Sequence, residues 1–362
     1  MKKNYLLFLI VVFVTLFHVG PSCWEGVEPV SKVYFTKDIS SAGVLKIYEK
    51  IKDSVKGDKI GIKVHFGEEG NRYFLDPELI KGLTKKINAT LVETNVLYES
   101  KRKYTDSHIK LAKEHGFDFA PIDILDSTGA VELKAKGLKY FTSVTVGKTM
   151  NKYDTFIIYS HFKGHKSAGF GGAIKNVSMG FATPKGKLAM HRAFIPDYNG
   201  KECINCGDCL KACAPNAITL KPVKIDKSKC IGCGKCIAVC PKKVYTVPAK
   251  NQTHEVFLEK LVEYAKVISE NHHMVYINVL ANISPDCDCV SNAAKPFIKD
   301  IGILASTDIV AIEQASHDLV DKMCDCEDAF LKVNKVSGKN QIEYAYKLKM
   351  GNKKYLLIDI DK

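Results

Sequence analysis

No Walker loop and no dinucleotide fingerprint occurs in the 362 residues, so the familiar glycine-rich phosphate cradles of nucleoside-triphosphate and nicotinamide enzymes are missing. Basic residues do not alternate with aromatic stacking platforms in any recognisable nucleic-acid-binding pattern, which argues against DNA or RNA as the partner. Long apolar runs are scarce. The run over residues 5–17 is short for a helix that spans a bilayer. Cysteine is not scarce: of 13, eight crowd between residues 203 and 240. That crowding speaks for cofactor ligation in a reducing compartment, not for the spread framework of a small disulfide-stapled protein.

With 46% hydrophobic and 26% charged residues, the chain is globular and long enough for one large domain or two ordinary ones. Its formal charge of +13 suits an acidic redox partner, a small anionic ligand or an anionic surface, although most lysines belong to a solvated surface.

From residue 33 onward, short β-branched or aromatic runs alternate with amphipathic segments. Strands are expected over 33–35, 59–66 and 154–160, and helices over 42–52, from Asp76-Pro77 onward, and over 106–115 ending at Gly116. The same grammar resumes after residue 250. Phe257, Leu261, Tyr264, Ala265 and Ile268 share a helical face, a strand follows over 274–280, Asp308 caps a helix to about 322, and a last strand covers 355–360. The expected fold is α/β, a mostly parallel sheet with helices on both faces, interrupted by a cysteine-rich insertion. The α/β domain occupies residues 31–198 and 249–362, and the insertion residues 199–248.

The insertion carries the chemistry. Cys203-x2-Cys206-x2-Cys209-x3-Cys213 is repeated as Cys230-x2-Cys233-x2-Cys236-x3-Cys240-Pro241, a duplicated bacterial ferredoxin pattern for two 4Fe-4S clusters in a small α+β domain. A tight three-thiolate loop cannot also reach the far corner of its cubane, so the halves exchange their fourth ligands. Cys203, Cys206, Cys209 and Cys240 hold one cluster; Cys230, Cys233, Cys236 and Cys213 hold the other. Gly207, Gly232 and Gly234 let the loops bend close to inorganic sulfide. Ala214 departs from the usual Cys-Pro step. Zinc fits poorly, because its sites pair C-x2-C units around one tetrahedral ion. Each oxidised cluster with its thiolates carries roughly −2, lowering the net charge by about 4.

The strand expected over 154–160 runs into HFKGHKSAGFGGAIKNVSMG (161–180), followed by KGKLAMH (185–191). With KVYFTKDIS, KVHFGEEGN, ISPDCDC and DIGILAST, these segments resemble the uncharacterised iron-sulfur family built on domain of unknown function 362. The resemblance spans nearly everything from residue 32 and implies an α/β domain with an intervening two-cluster module. It implies no substrate.

A basic, glycine-rich segment after a strand lies where open α/β sheets bind ligands, and its successive amides suit an anion. His65, Asn95, His161, Lys163, His165 and Lys175 are the candidate ligand-site residues. His161 and His165 serve either as metal ligands or as hydrogen-bonding groups. Cys287-x-Cys289 and Cys324-x-Cys326 are a candidate additional metal or redox site if they meet in space, and otherwise loop cysteines.

These features point to an iron-sulfur protein that passes electrons to or from an anionic small molecule or redox partner protein. The alternative is a non-catalytic iron-sulfur or metal-binding module for cofactor assembly or sensing. Residues 1–30 complicate the compartment. Lys2 and Lys3, the apolar run, and Gly20 and Ser22 match a secretory signal peptide or membrane anchor, and Cys23 follows a poor lipoprotein box. Clusters are inserted in the cytoplasm, and Lys2-Lys3 is not a twin-arginine signal, so a cytoplasmic body is the expectation unless that segment exports or anchors the chain.

Overall fold

Thr155–His161 is buried at every position, and its residues alternate between two cores. Phe156 and Ile158 join one hydrophobic cluster, and Ile157 and Tyr159 the other. A strand covered on both faces reads as a continuous apolar run, and it marks the centre of a helix-covered sheet. The computed structural model describes residues 30–191, 195–213, 216–227, 229–230, 235–246 and 254–362. The amino-terminal segment with Cys23, and Ala214, Pro215, Gly232, Cys233 and Gly234, lie outside the described residues.

The first part of the chain forms strands β1 (Ser31–Thr36), β2 (Ile60–Lys63), β3 (Thr90–Glu93), β4 (Ile122–Ile124), β5 (Ala130–Lys134), β6 (Ser143–Gly147), β7 (Thr155–His161), β8 (Lys163–His165) and β9 (Gly169–Gly171). Its helices are α1 (Ser41–Tyr48), α2 (Glu78–Lys86), α3 (Thr105–Glu114), α4 (Ala173–Phe181) and α5 (Pro184–His191). The cysteine-rich segment, which in structure begins two residues before the expected boundary, contributes β10 (Asp197–Tyr198), β11 (Ile218–Thr219), β12 (Lys224–Ile225) and β13 (Tyr245–Thr246), with α6 (Asp208–Ala212) and α7 (Lys235–Val239). Then come α8 (His254–Asn271), β14 (His273–Leu280), β15 (Gly302–Ser306), α9 (Ile309–Cys324), α10 (Ala329–Asn334), α11 (Lys339–Lys347) and β16 (Tyr355–Asp359).

Eight strands make one sheet in the order β16-β1-β15-β14-β7-β2-β3-β4. Every neighbouring pair is parallel except those made by β15, which runs antiparallel to both β1 and β14. Helices α1, α2 and α3 cover one face through Val44, Ile47, Ile80, Leu83 and Ala112. Helices α4, α8 and α9 cover the other through Ile174, Val177, Leu261, Ala265 and Ile312. The fold is therefore the expected α/β architecture with helices on both faces. β15 is the addition, a short strand whose direction no local pattern announces.

Capping follows the sequence. Asp308 accepts from the amides of Val310 and Ala311 at 2.9 Å each, and Asp76 accepts from Glu78 N at 2.9 Å. Gly116 leaves α3 at φ +90°, where a side chain would be strained. The expected strand over 59–66 is shorter. After Lys63, Val64 N makes one more bond to Val92 O, and the chain turns away at Gly67.

Within the insertion, β10 pairs with β13 and β11 with β12. Cys209, Ile218, Val223, Val244 and Tyr245 form a small core of their own, against which Cys203, Cys213, Cys236 and Cys240 pack.

Candidate functional site

From β2 the chain steps outward to β3 and β4, then returns to lay β7 against the other side of β2 and β14 beyond it. The strand order reverses between β2 and β7, the kind of switch point at which open α/β sheets form a ligand crevice beyond the carboxyl ends of their strands. The segments leaving β2, β3, β7 and β14 carry the polar residues that meet there.

Nearest the sheet, Lys63 is fully buried and places its ammonium 2.8 Å from Glu93 Oε1, 2.6 Å from Val64 O and 3.0 Å from Asn176 Oδ1. Gly180 on α4 makes room for it, since a Cβ there would sit 2.4 Å from Lys63 Cε. Burial pushes the Lys63 pKa down despite Glu93. Burial raises that of Glu93, yet Lys63 and Arg102 outweigh it and the net direction is downward. Asn176 donates to Tyr159 O and Ser160 Oγ, which ties α4 to β7.

Arg102 is the second buried cation. Its guanidinium reaches Glu68 Oε2 at 3.3 Å, Tyr98 Oη at 2.9 Å and His65 Nε2 at 2.8 Å. His65 Nδ1 accepts from Gly67 N at 3.1 Å, and burial followed by the nearby Arg102 charge keeps its ring well below the ordinary histidine pKa. Asn95 binds Thr105 and His108, and its own amide donates to Asp126.

Across the crevice, His161 Nδ1 lies 2.9 and 3.1 Å from the two Asp288 oxygens, and its Nε2 lies 2.7 Å from Ala281 O. Both ring nitrogens are thus engaged by acceptors. Lys163 reaches Asp288 at 3.3 Å and His161 O at 3.2 Å. Burial works against a charged Asp288, but His161 and Lys163 hold its carboxyl far below the ordinary range.

Cys287 is buried. Lys175 Nζ lies 3.7 Å from its sulfur and the Cys289 amide donates to that sulfur at 3.4 Å. The Cys289 thiol hydrogen bond, with Lys175 and Lys163, pulls the Cys287 pKa well down. The same bond and burial push Cys289 up, so Cys287 is the thiol of the pair that its surroundings favour to ionise. His165, Cys287 and Cys289 can each offer one ligand atom, all within 4.8 Å of one another. His165 Nδ1 already accepts from the amides of Ser167 and Ala168, at 3.2 and 3.1 Å. A metal-bound histidine usually donates through its second nitrogen, so in this arrangement His165 is set up as a hydrogen-bond donor through Nε2.

The candidate residues are thus sorted by tertiary contact. Lys163, Lys175, His161 and His165 gather around the Cys287-Asp288-Cys289 segment, whereas His65 and Asn95 belong to the Arg102 and Asp126 networks on the β2–β3 side. The two C-x-C pairs do not make one site. Cys324 and Cys326 are bonded to each other at the end of α9, and neither joins the group of His165, Cys287 and Cys289. Arg102 escaped the sequence reading because it sits in a Lys-Arg-Lys run that looks like solvated charge. Asp288 was visible only as the residue between two cysteines.

The glycine-rich segment also differs from an open anion cradle. β8 and β9 pair as a hairpin, which uses part of its backbone. At its end, the buried Glu313 carboxylate accepts from Ala173 N at 2.6 Å, so the amino terminus of α4 is plugged from within. Gly172 is required there, because a Cβ would lie 2.3 Å from Glu313 Oε1.

Lys187, in the KGKLAMH segment, donates to Thr94 Oγ1, Asn95 O and Ala182 O at 2.6–2.8 Å. Burial lowers its pKa from 10.5 to about 8. Between those values the unfolded chain holds a proton that the folded chain has released. This group therefore adds stability as pH rises from about 8 to 10.5, on the order of 3 kcal/mol at most, and the gain is lost as pH falls back through 8. Lys187→Met is expected to flatten the rise in denaturation midpoint between pH 8 and 10.5; an unchanged pH profile would contradict the assignment.

In the insertion, Cys203, Cys206, Cys209 and Cys240 line one cavity with Leu220, Val244 and Tyr245. Tyr245 Oη donates to Cys209 Sγ at 3.2 Å, and Ala217 N to Cys213 Sγ at 3.3 Å. Donors aimed at sulfur suit thiolates that share electron density with iron, so these residues fit a cluster. Cys213, Cys230 and Cys236 are described and Cys233 is not. Among the described residues, no helix is long and apolar enough to cross a membrane.

Fold and crevice define an α/β protein with thiol and imidazole groups able to hold metal. Residues 60–318 match the family described as "Domain of unknown function (DUF362)", and the chain belongs to that family. No curated protein matches the chain closely enough to count as a relative. Among solved structures, it is similar to the lactate racemase apoprotein from Thermoanaerobacterium thermosaccharolyticum, at 14% identity and a TM-score of 0.37, over 70% of this chain and 51% of that one. It is also similar to a Thermotoga maritima protein, at 9% identity and a TM-score of 0.39, over 85% of this chain and 59% of that one. The chain thus spans about half to three fifths of the length of these structures.

Proposed function

We propose that this protein is an iron-sulfur electron carrier or oxidoreductase. Its insertion holds two 4Fe-4S clusters, and its crevice binds the small anionic ligand or redox partner with which single electrons are exchanged. The observation that carries the reading is the cavity lined jointly by Cys203, Cys206, Cys209 and Cys240, because Cys240 comes from the other half of the repeat. That is the ligand exchange the duplicated spacing demands. When bound, the clusters supply one-electron transfer.

The chain's own residues would act on the ligand. Lys163 and Lys175 offer positive charge, with Asp288 fixing Lys163 and the Cys287 thiolate facing Lys175. An anion that takes Lys175 from the thiolate would be held by a charge-assisted hydrogen bond in a site largely screened from water. Lys63 and Arg102 are saturated by Glu93, Glu68 and Tyr98, and serve to keep the crevice walls in place.

A second reading, a metal-handling module for cofactor assembly or sensing, is favoured by the two thiols of Cys287 and Cys289, whose sulfurs lie within 4.8 Å of each other. Anaerobic native mass spectrometry of the full chain, followed by reductive titration, separates the two. Two clusters that reduce reversibly, with a retained small molecule or turnover, support electron transfer. Clusters that do not cycle, with a further metal lost in Cys287→Ser, support metal handling. Zinc in place of iron in the insertion overturns both forms of the cluster assignment.

A further inference from the structure

Apart from the group of His165, Cys287 and Cys289, α9 and α10 meet in a cluster that the proposed function does not use. His317 and Asp321 are one helical turn apart on α9 and share a face, and Asp328 is the residue before α10. One atom from each of the three lies within 4.8 Å of the others. His317 is completely buried, yet neither ring nitrogen makes a hydrogen bond among the described residues. Its Nδ1 lies 3.1 Å from Asp321 Oδ2 and its Nε2 3.9 Å from Asp328 Oδ1, close approaches without hydrogen-bond geometry. A buried imidazole that faces two carboxylates in poor hydrogen-bond geometry is incompletely satisfied, and a cation held among the three groups would satisfy it.

We propose that His317, Asp321 and Asp328 form a binding site for a divalent transition-metal cation of the zinc class, with water completing its shell. One imidazole and two carboxylates neutralise a doubly charged ion and make a nitrogen-oxygen donor set suited to it. The supports expected behind such ligands are present. Asp321 Oδ1 accepts from Ala329 N at 2.9 Å, Asp328 Oδ1 from Leu331 N at 2.8 Å, and Asp328 Oδ2 from Ser337 Oγ at 2.6 Å. Phe170 and Phe330 meet the His317 ring at centroid distances of 5.3 and 5.7 Å and fix its plane. Asp321 and Asp328 keep 15% and 9% of their side-chain surface open, which gives an ion and its water a way in.

Lys339 is the competitor. Its ammonium lies 3.5 Å from Asp321 Oδ2 on a side chain that is 46% exposed, so it can swing away when an ion enters. Because Phe170 lies in β9 and packs on His317, a bound ion would also brace the hairpin that carries Lys163 and His165.

The test is zinc binding to the full, cluster-loaded chain by equilibrium dialysis and elemental analysis, with a competing chelator to rank affinities. Asp321→Asn and Asp328→Asn keep the backbone contacts and are expected to weaken zinc by about tenfold or more. His317→Gln should do the same if it folds. Lys339→Ala should strengthen binding, and Cys287→Ser should leave this site's zinc in place. The proposal is overturned if Asp321→Asn, Asp328→Asn and Lys339→Ala all bind zinc as the natural chain does, or if the only bound zinc disappears with Cys287.

Discussion

Lys63→Met should lower the stability of the fold by about 3–5 kcal/mol, which a urea titration near pH 7 would register as a large fall in midpoint. The ammonium sits at the end of β2 with 1% of its side-chain surface exposed, and Glu93 opposite it shows 4%. Removing only the cation leaves a buried carboxylate whose remaining partners are Thr94 N at 3.0 Å and Arg102 at 3.8 Å. The methionine also deprives Val64 O and Asn176 Oδ1 of their donor. Lys46, paired with Asp361 at 2.8 Å but 46% exposed, is the control; Lys46→Met should cost no more than about 1 kcal/mol. Adding Glu93→Gln to Lys63→Met should recover part of the loss, because it removes the stranded charge. Equal effects at Lys63 and Lys46 would mean that the buried pair does not hold the crevice wall.

The second large effect concerns the clusters. Cys206→Ser and Cys240→Ser, 34 positions apart in sequence, are expected to remove the same cluster. The paramagnetic signal of the reduced protein should fall by about half in either variant and no further in the double variant. Cys213→Ser and Cys236→Ser should each remove the other cluster. The prediction rests on the shared cavity of Cys203, Cys206, Cys209 and Cys240. If Cys206→Ser and Cys240→Ser damage different clusters, the exchange of fourth ligands is wrong. If either abolishes all iron while the fold persists, so is the assignment of two independent sites.

Much of the scaffold was legible because it is local. The uninterrupted apolar run of β7 announces a covered strand, the Phe257, Leu261 and Ile268 stripe announces α8, and Asp308 announces the start of α9. The crevice was legible only as a place, through the polar residues that follow those strands. What they do there depends on partners far along the chain. Lys63 finds Glu93 across the neighbouring strand, His161 finds Asp288 at a separation of 127 residues, and Arg102 is buried although its neighbours Lys101 and Lys103 face solvent. Spacing alone likewise made Cys287-x-Cys289 and Cys324-x-Cys326 look equivalent. The first closes on His165 beside two lysines, while the second closes on itself beyond α9.

The carboxylate of Glu313 bears on the anion binding proposed for this crevice. It lies inside the fold against the first turn of α4, and burial raises its pKa to about 7 despite the Asn278 amide and the helix amides that favour its charge. A helix end is an indiscriminate attractor of negative charge, and here that attraction is spent on an internal group. In the proposed function selection falls to Lys163 and Lys175, which contact Asp288 and Cys287. Under the proposed function, the crevice would therefore read the spacing of two ammonium groups instead of offering a bare helix end to any anion.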